Sequence, residues 1–262
     1  MVILAYIVGL YALIFLLYTL FQEQIIFRSN RRKQQGKYRI SARFEELQYD
    51  TPHGGSIHGV LMHPKEESKG LIFYLHGNTG SIKRWGVVAQ ELLDLGFDVF
   101  IMDYRGYGKS KGRKSERVMH SDARHVYQQL APNYDYNVVY GRSLGAAFAV
   151  RLACLEKPSK LVLETPFFSL LSLAQKIIPF LPMRAILRFP MRSDRLIDKV
   201  ECPIIIFHGT KDRIVPYASG FRLYSVVKDR EDVEMVTIQG ATHNNLNAYP
   251  TFWEKLKLFL QS

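Results

Sequence analysis

Between Asn137 and Glu156 the sequence demands a backbone that few folds supply. A short apolar run, Asn137-Val138-Val139-Tyr140, breaks into Gly141-Arg142-Ser143-Leu144-Gly145 and resumes as a helix-favouring segment from Ala146 to Glu156. Strand, G-x-S-x-G and helix in that order predict a sharp turn with Ser143 exposed at its tip. Such a turn strains the serine backbone and crowds the positions two residues to either side, which must carry almost no side chain. Gly141 and Gly145 meet that demand. Alone, the pattern arises often by chance, so its meaning depends on partners elsewhere in the chain.

The surrounding sequence alternates two kinds of segment. Runs at 43–51, 57–63, 70–75, 98–102, 138–140, 160–164, 203–207 and 233–238 read as strands, the first two joined through His53-Gly54-Gly55. Helical patterns fill 83–95, 115–130, 144–156, 217–227 and 249–260. Nearly continuous apolar strands alternating with helices predict a mainly parallel α/β sheet covered on both faces. Ligands of such sheets bind outside the carboxyl ends of the strands. Two cysteines in 262 residues, Cys154 and Cys202, give neither a disulfide framework nor a metal-binding spacing.

Ahead of this body, Val2 to Phe21 holds twenty residues without a charge. At about 1.5 Å per residue that is ~30 Å, the thickness of a bilayer's hydrocarbon core. A cleaved signal peptide would place basic residues before the apolar run and a small-x-small site after it, and a buried core helix would show a polar face; neither pattern is present. The segment is expected to be an uncleaved single-pass anchor. Arg28, Arg31, Arg32, Lys33, Lys37, Arg39 and Arg43 follow it, with no acid between Gln24 and Phe44. This flank, part of a net charge of +11, is expected to stay cytoplasmic and to meet anionic headgroups. Beside an anchor, and without a recognition motif, it does not point to nucleic acid. The expected division is 1–24 anchor, 25–42 basic linker and 43–262 globular domain.

Four strand ends carry chemistry. His76-Gly77-Asn78-Thr79-Gly80 is a glycine-bracketed loop whose amides can face a developing negative charge, with His76 read as structural. Asp103-Tyr104-Arg105-Gly106-Tyr107-Gly108-Lys109-Ser110 ends in G-K-S, but a phosphate loop requires glycine where Asp103 stands, so that reading fails. Asp103 is expected to be buried, with Arg105 bracing the turn. Asp212 lies in the loop after 203–207, where an ordinary turn carboxylate is the plainer reading. His243 follows the last strand among small neighbours.

Taken together, Tyr74-Leu-His-Gly-Asn-Thr-Gly80, Asp103-Tyr-Arg-Gly-Tyr-Gly-Lys-Ser110, G-R-S-L-G, His208-Gly-Thr-Lys-Asp-Arg-Ile-Val-Pro216 and the late Thr242-His243-Asn244 resemble the α/β-hydrolase superfamily. Within it they resemble the small membrane-anchored branch with a serine-aminopeptidase-like hydrolase domain, as does Gln22-Glu-Gln-Ile-Ile-Phe27 after the anchor. With no cysteine near the amino terminus, attachment resembles that of helix-anchored rather than palmitoylated members. The order Ser143, Asp212, His243 is the order of that superfamily's triads. The resemblance implies Ser143 as nucleophile, His243 as base, Asp212 as its orienting acid, and the backbone amides of Leu144 and Asn78 as oxyanion donors. It implies no metal and no organic cofactor, and a lipid-like or acyl ester or thioester as substrate; a peptidase or acyltransferase using the same residues, or a silent hydrolase fold used for interaction, are the alternatives. An apolar insertion at about 166–198, including Phe167, Phe168, Ile177, Ile178, Phe180, Leu181 and Phe189, reads either as a small lid that accepts an acyl chain or as ordinary core.

Overall fold

The computed structural model describes residues 1–29 and 37–262. Arg31, Arg32 and Lys33 of the basic flank lie outside the described residues. Eight strands form one sheet: β1 (Phe44–Thr51), β2 (Gly55–Met62), β3 (Leu71–Leu75), β4 (Asp98–Met102), β5 (Asn137–Arg142), β6 (Lys160–Glu164), β7 (Ile204–Gly209) and β8 (Val233–Ile238). Their order across the sheet is β1-β2-β4-β3-β5-β6-β7-β8. β1, β2 and β4 pair antiparallel, and β4 through β8 are parallel. The turn into β2 closes at Gly54, whose amide donates to the Thr51 carbonyl.

The pleat divides the core. Leu71, Phe73 and Leu75 of β3 face one side, while Ile72 and Tyr74 face the other. Both faces are covered, which is why the parallel strands are apolar throughout. On the first face lie α3 (Glu116–Leu130) and α4 (Leu144–Glu156); on the second lie α2 (Ile82–Ala89) and α8 (Pro250–Gln261). α3 starts where the Ser115 hydroxyl accepts from the Val118 amide, and it buries Met119, Ala123, Val126 and Leu130 along one stripe. α7 (Tyr217–Tyr224) connects β7 to β8.

The insertion after β6 holds two short helices, α5 (Leu170–Ile177) and α6 (Met183–Ile186). Its apolar residues divide between core and surface. Phe167, Leu181, Met183 and Phe189 are buried in the core, whereas Ile177 and Phe180 are 66% and 56% exposed.

Helix α1 (Val2–Ile26) runs two residues past the expected end of the anchor. Its first twelve residues, Val2 to Leu13, are exposed, but Tyr18, Gln22 and Ile26 are buried, and Ile14 and Phe15 are partly covered by the domain. The segment assigned to a linker begins differently from a free tether: Phe27 is buried with its ring edge-on to Phe189 at 4.8 Å, and Tyr38, Ile40 and Ala42 pack on the second core face.

Candidate active site

Ser143 sits between β5 and α4 with φ +53° and ψ −112°, a left-handed backbone rarely held by a side-chain-bearing residue. Two backbone bonds fix it: its amide donates to the Glu164 carbonyl (2.9 Å), and its carbonyl accepts from the Ala146 amide (3.0 Å). The crowding expected at the flanking glycines is real. A Cβ on Gly145 would stand 1.8 Å from the Leu75 carbonyl oxygen, and one on Gly141 would stand 2.6 Å from the Ala146 Cα. Glycine at 145 lets the first turn of α4 press against the end of β3, at the Leu75 and His76 carbonyls.

Three residues from three strand ends meet there. His243 Nε2 lies 3.1 Å from Ser143 Oγ, and His243 Nδ1 lies 2.7 Å from Asp212 Oδ2. Asp212 is held by more than the histidine. Its Oδ1 accepts the amides of Ile214 and Val215, both at 2.9 Å, and His208 Nε2 stands 3.4 Å from Oδ2. Burial by itself would push this carboxyl up; the bonds from His208 and His243 and from the Val215 amide outweigh it and hold the carboxyl well below the usual carboxylate range. An ionised Asp212 only accepts, so the proton of His243 belongs on Nδ1 and its Nε2 lone pair faces the serine hydroxyl. This arrangement can deprotonate a serine as it attacks an electrophilic carbon.

The structure adds Arg142 to this set, although the sequence offers it only as the variable residue of G-R-S. Its Nη2 donates to the His243 carbonyl (2.8 Å) and to Asn244 Oδ1 (3.2 Å), while Nη1 pairs with Glu164 at 3.3 Å. The guanidinium also lies over the Trp85 ring at 4.7 Å. Glu164 is the direct cross-strand partner of Arg142 and accepts the Tyr140 hydroxyl. The loop carrying the histidine is thus tied to the turn carrying the serine.

The 76–80 loop is braced from outside the domain as well. The Asn78 carbonyl accepts from the Tyr107 hydroxyl (2.8 Å) and the Arg28 amide (3.1 Å), and Asn78 Nδ2 donates to the Ile26 carbonyl (3.3 Å). Polar Gln22 and Glu23 ending an apolar run were the available sequence sign that the helix docks. His76 is fully buried among Trp85, Tyr104 and Tyr107. Asp103 is buried and accepts the Ile82 amide, while Arg105 braces the β1–β2 turn through Asp122, Thr51 and the His53 carbonyl. Among the described residues no group of three or more His, Cys, Asp or Glu side chains is placed to hold a metal ion.

A mostly parallel eight-stranded sheet with an antiparallel start, a strained serine turn after the fifth strand and a lid after the sixth define an α/β hydrolase, and the chain belongs to that superfamily. The family model described as serine aminopeptidase, S33, matches residues 66–190. A protein of Mycobacterium tuberculosis described as uncharacterized is 35% identical over 187 residues, covering 70% of this chain and 66%, just under two thirds, of its own. The alpha/beta hydrolase domain-containing protein 17C of Xenopus tropicalis is 27% identical over 225 residues, covering 82% of this chain and 69% of that one. Among solved structures, the esterase Pf2001 of Pyrococcus furiosus superposes with a TM-score of 0.73 at 20% identity, covering 89% of this chain and 98% of its own. Est1E of Butyrivibrio proteoclasticus, solved with ferulic acid, superposes with a TM-score of 0.63 at 21% identity, covering 82% and 96%. At these identities the two structures speak for the fold alone. Ahead of this fold the chain carries an apolar amino-terminal helix long enough to cross a membrane.

Proposed function

We propose that the chain is a membrane-anchored serine hydrolase that cleaves a carboxylic ester or thioester of lipid-like or acyl character. The observation that carries this reading is the continuous hydrogen-bonded line from Asp212 through His243 to Ser143 at a strained, glycine-flanked turn. Ser143 Oγ attacks the acyl carbonyl carbon while His243 Nε2 takes the hydroxyl proton, and Asp212 stabilises the resulting imidazolium. The carbonyl oxygen becomes an oxyanion, received by the backbone amides of Leu144 and Asn78. The Leu144 amide is one of the free amino-terminal donors of α4, and Asn78 commits its carbonyl and side chain to Tyr107, Arg28 and Ile26, which orients the loop around its amide. Collapse breaks the bond to the leaving alcohol or thiol, which receives the proton from His243. Water then attacks the acyl-serine by the same route and releases the acid.

The exposed apolar lid residues Ile177 and Phe180 favour an acyl chain as the specificity-bearing part. The twenty uncharged residues of α1, followed by Arg28, Lys37, Arg39 and Arg43, support single-pass anchoring with the domain on the cytoplasmic side. The test is hydrolysis of p-nitrophenyl esters of increasing chain length alongside aminoacyl p-nitroanilides. Ester turnover that rises with chain length, against little amide turnover, is the expected result. Faster cleavage of the aminoacyl amides would replace the esterase reading with a peptidase.

A further inference from the structure

Helix α1 and the lid lie side by side. At one end Gln22 is fully buried, its Nε2 donating to the Ile186 carbonyl (3.0 Å) and its Oε1 accepting the Arg188 amide (2.7 Å). At the other, the Tyr11 hydroxyl donates to the Phe180 carbonyl (3.3 Å). Eleven residues separate Tyr11 from Gln22, about 16 Å of helix. The lid therefore reaches ~16 Å along the apolar stretch that matches a bilayer in length.

Beyond the lid, Val2 to Leu10 gives only about 14 Å of helix, less than half of a ~30 Å hydrocarbon core. If Val2–Phe21 occupies that core, the lid tip lies at the depth of Tyr11, near the middle. The tip is built for this: Ile177-Ile178-Pro179-Phe180-Leu181-Pro182 carries no charge, and its most exposed large side chains are Ile177 and Phe180. Lys176 and Arg184 bound it, both exposed and long enough to reach back toward headgroups. Glu23, Lys114 and Arg188 cluster at the level of Gln22, where an interface would fall.

We propose that α1 and the lid enter the bilayer as one unit, with Ile177–Pro182 sunk among the acyl chains of one leaflet. The occupant of this face is lipid hydrocarbon, and an acyl substrate reaches the lid laterally from the leaflet. The proposal rests on the anchor reading given above.

Nitroxide labels on the full chain in phosphatidylcholine/phosphatidylglycerol vesicles test it. Cys154→Ser removes the partly exposed native thiol; Cys202 stays, since burial pushes its thiol up to about 12. Single cysteines replace Leu10, Phe180 and, as a control on the opposite core face, Leu258. The expected result is that labels at 10 and 180 favour oxygen over a nickel chelate at depths within one helical turn, about 5 Å, while the label at 258 reports water. Lipid at 10 with water at 180 overturns the proposal and leaves the anchor standing. Water at both overturns the anchor, and the proposal with it. A second variant, Ile177→Asp with Phe180→Asp, should slow hydrolysis of a 16-carbon p-nitrophenyl ester dissolved in vesicles about tenfold or more. A loss of less than about twofold on this vesicle-dissolved ester would show that the lid tip works outside the leaflet and overturn the proposal.

Discussion

Asp212 organises more of the site than a loop carboxylate ordinarily does. Two amides, two histidines and its own low pKa make it a fixed acceptor. Asp212→Asn presents an amide N–H toward His243 and favours the wrong tautomer, so ester turnover should fall about 10⁴-fold with little change in fold; stopped-time ester assays and circular dichroism check both halves. Arg142 acts at one remove, through the His243 carbonyl. Arg142→Gln should lower kcat about 100-fold while leaving KM within about twofold, because a misplaced base costs rate rather than substrate binding. Steady-state kinetics separate the two. Ser143 stood out in the sequence by its strand–turn–helix context, whereas Asp212 and His243 were loop residues after later strands that only the family resemblance grouped with it. Arg142 and Glu164 were not, since their pairing exists only in the β5–β6 register, which no local pattern encodes.

The β-strands were read nearly to their ends, because burial on both sheet faces leaves apolar runs with sharp borders. Which face of α1 docks was not legible. Ile14, Phe15 and Tyr18 face the domain, and Leu13, Leu16 and Leu17 do not, yet all six look alike to a hydropathy reading. Gln22 is the exception, a buried amide joining helix to lid by two hydrogen bonds. Gln22→Leu leaves the Ile186 carbonyl and the Arg188 amide unpaired and should cost about 1–3 kcal/mol. Thermal unfolding in detergent micelles reads that loss.

The whole molecule responds to acid through groups buried in their neutral or paired forms. His120, against Phe148 on the first core face, has its imidazole pushed down to about 3 by burial, with the Arg151 charge a smaller contributor. Between its ordinary 6.5 and about 3 the unfolded chain carries a proton there that the folded chain refuses. Stability must therefore fall as pH drops through that window, by up to ~1.4 kcal/mol per unit for this one proton. Asp212, lowered in the folded state, adds loss in the same direction once pH falls below about 4, where an unfolded aspartate protonates. Urea unfolding from pH 7 to 5 should show the slope, and His120→Gln should flatten it. An unchanged slope would show that the folded chain takes up the proton at His120.

All of this turns on one oxygen atom. Intact-protein mass spectrometry after exposure to a fluorophosphonate should show a single phosphonyl adduct, mapped to Ser143 and lost in both Ser143→Ala and heat-denatured protein. An unlabelled native chain, or an adduct that persists in Ser143→Ala, would contradict the assignment of Ser143 as the nucleophile.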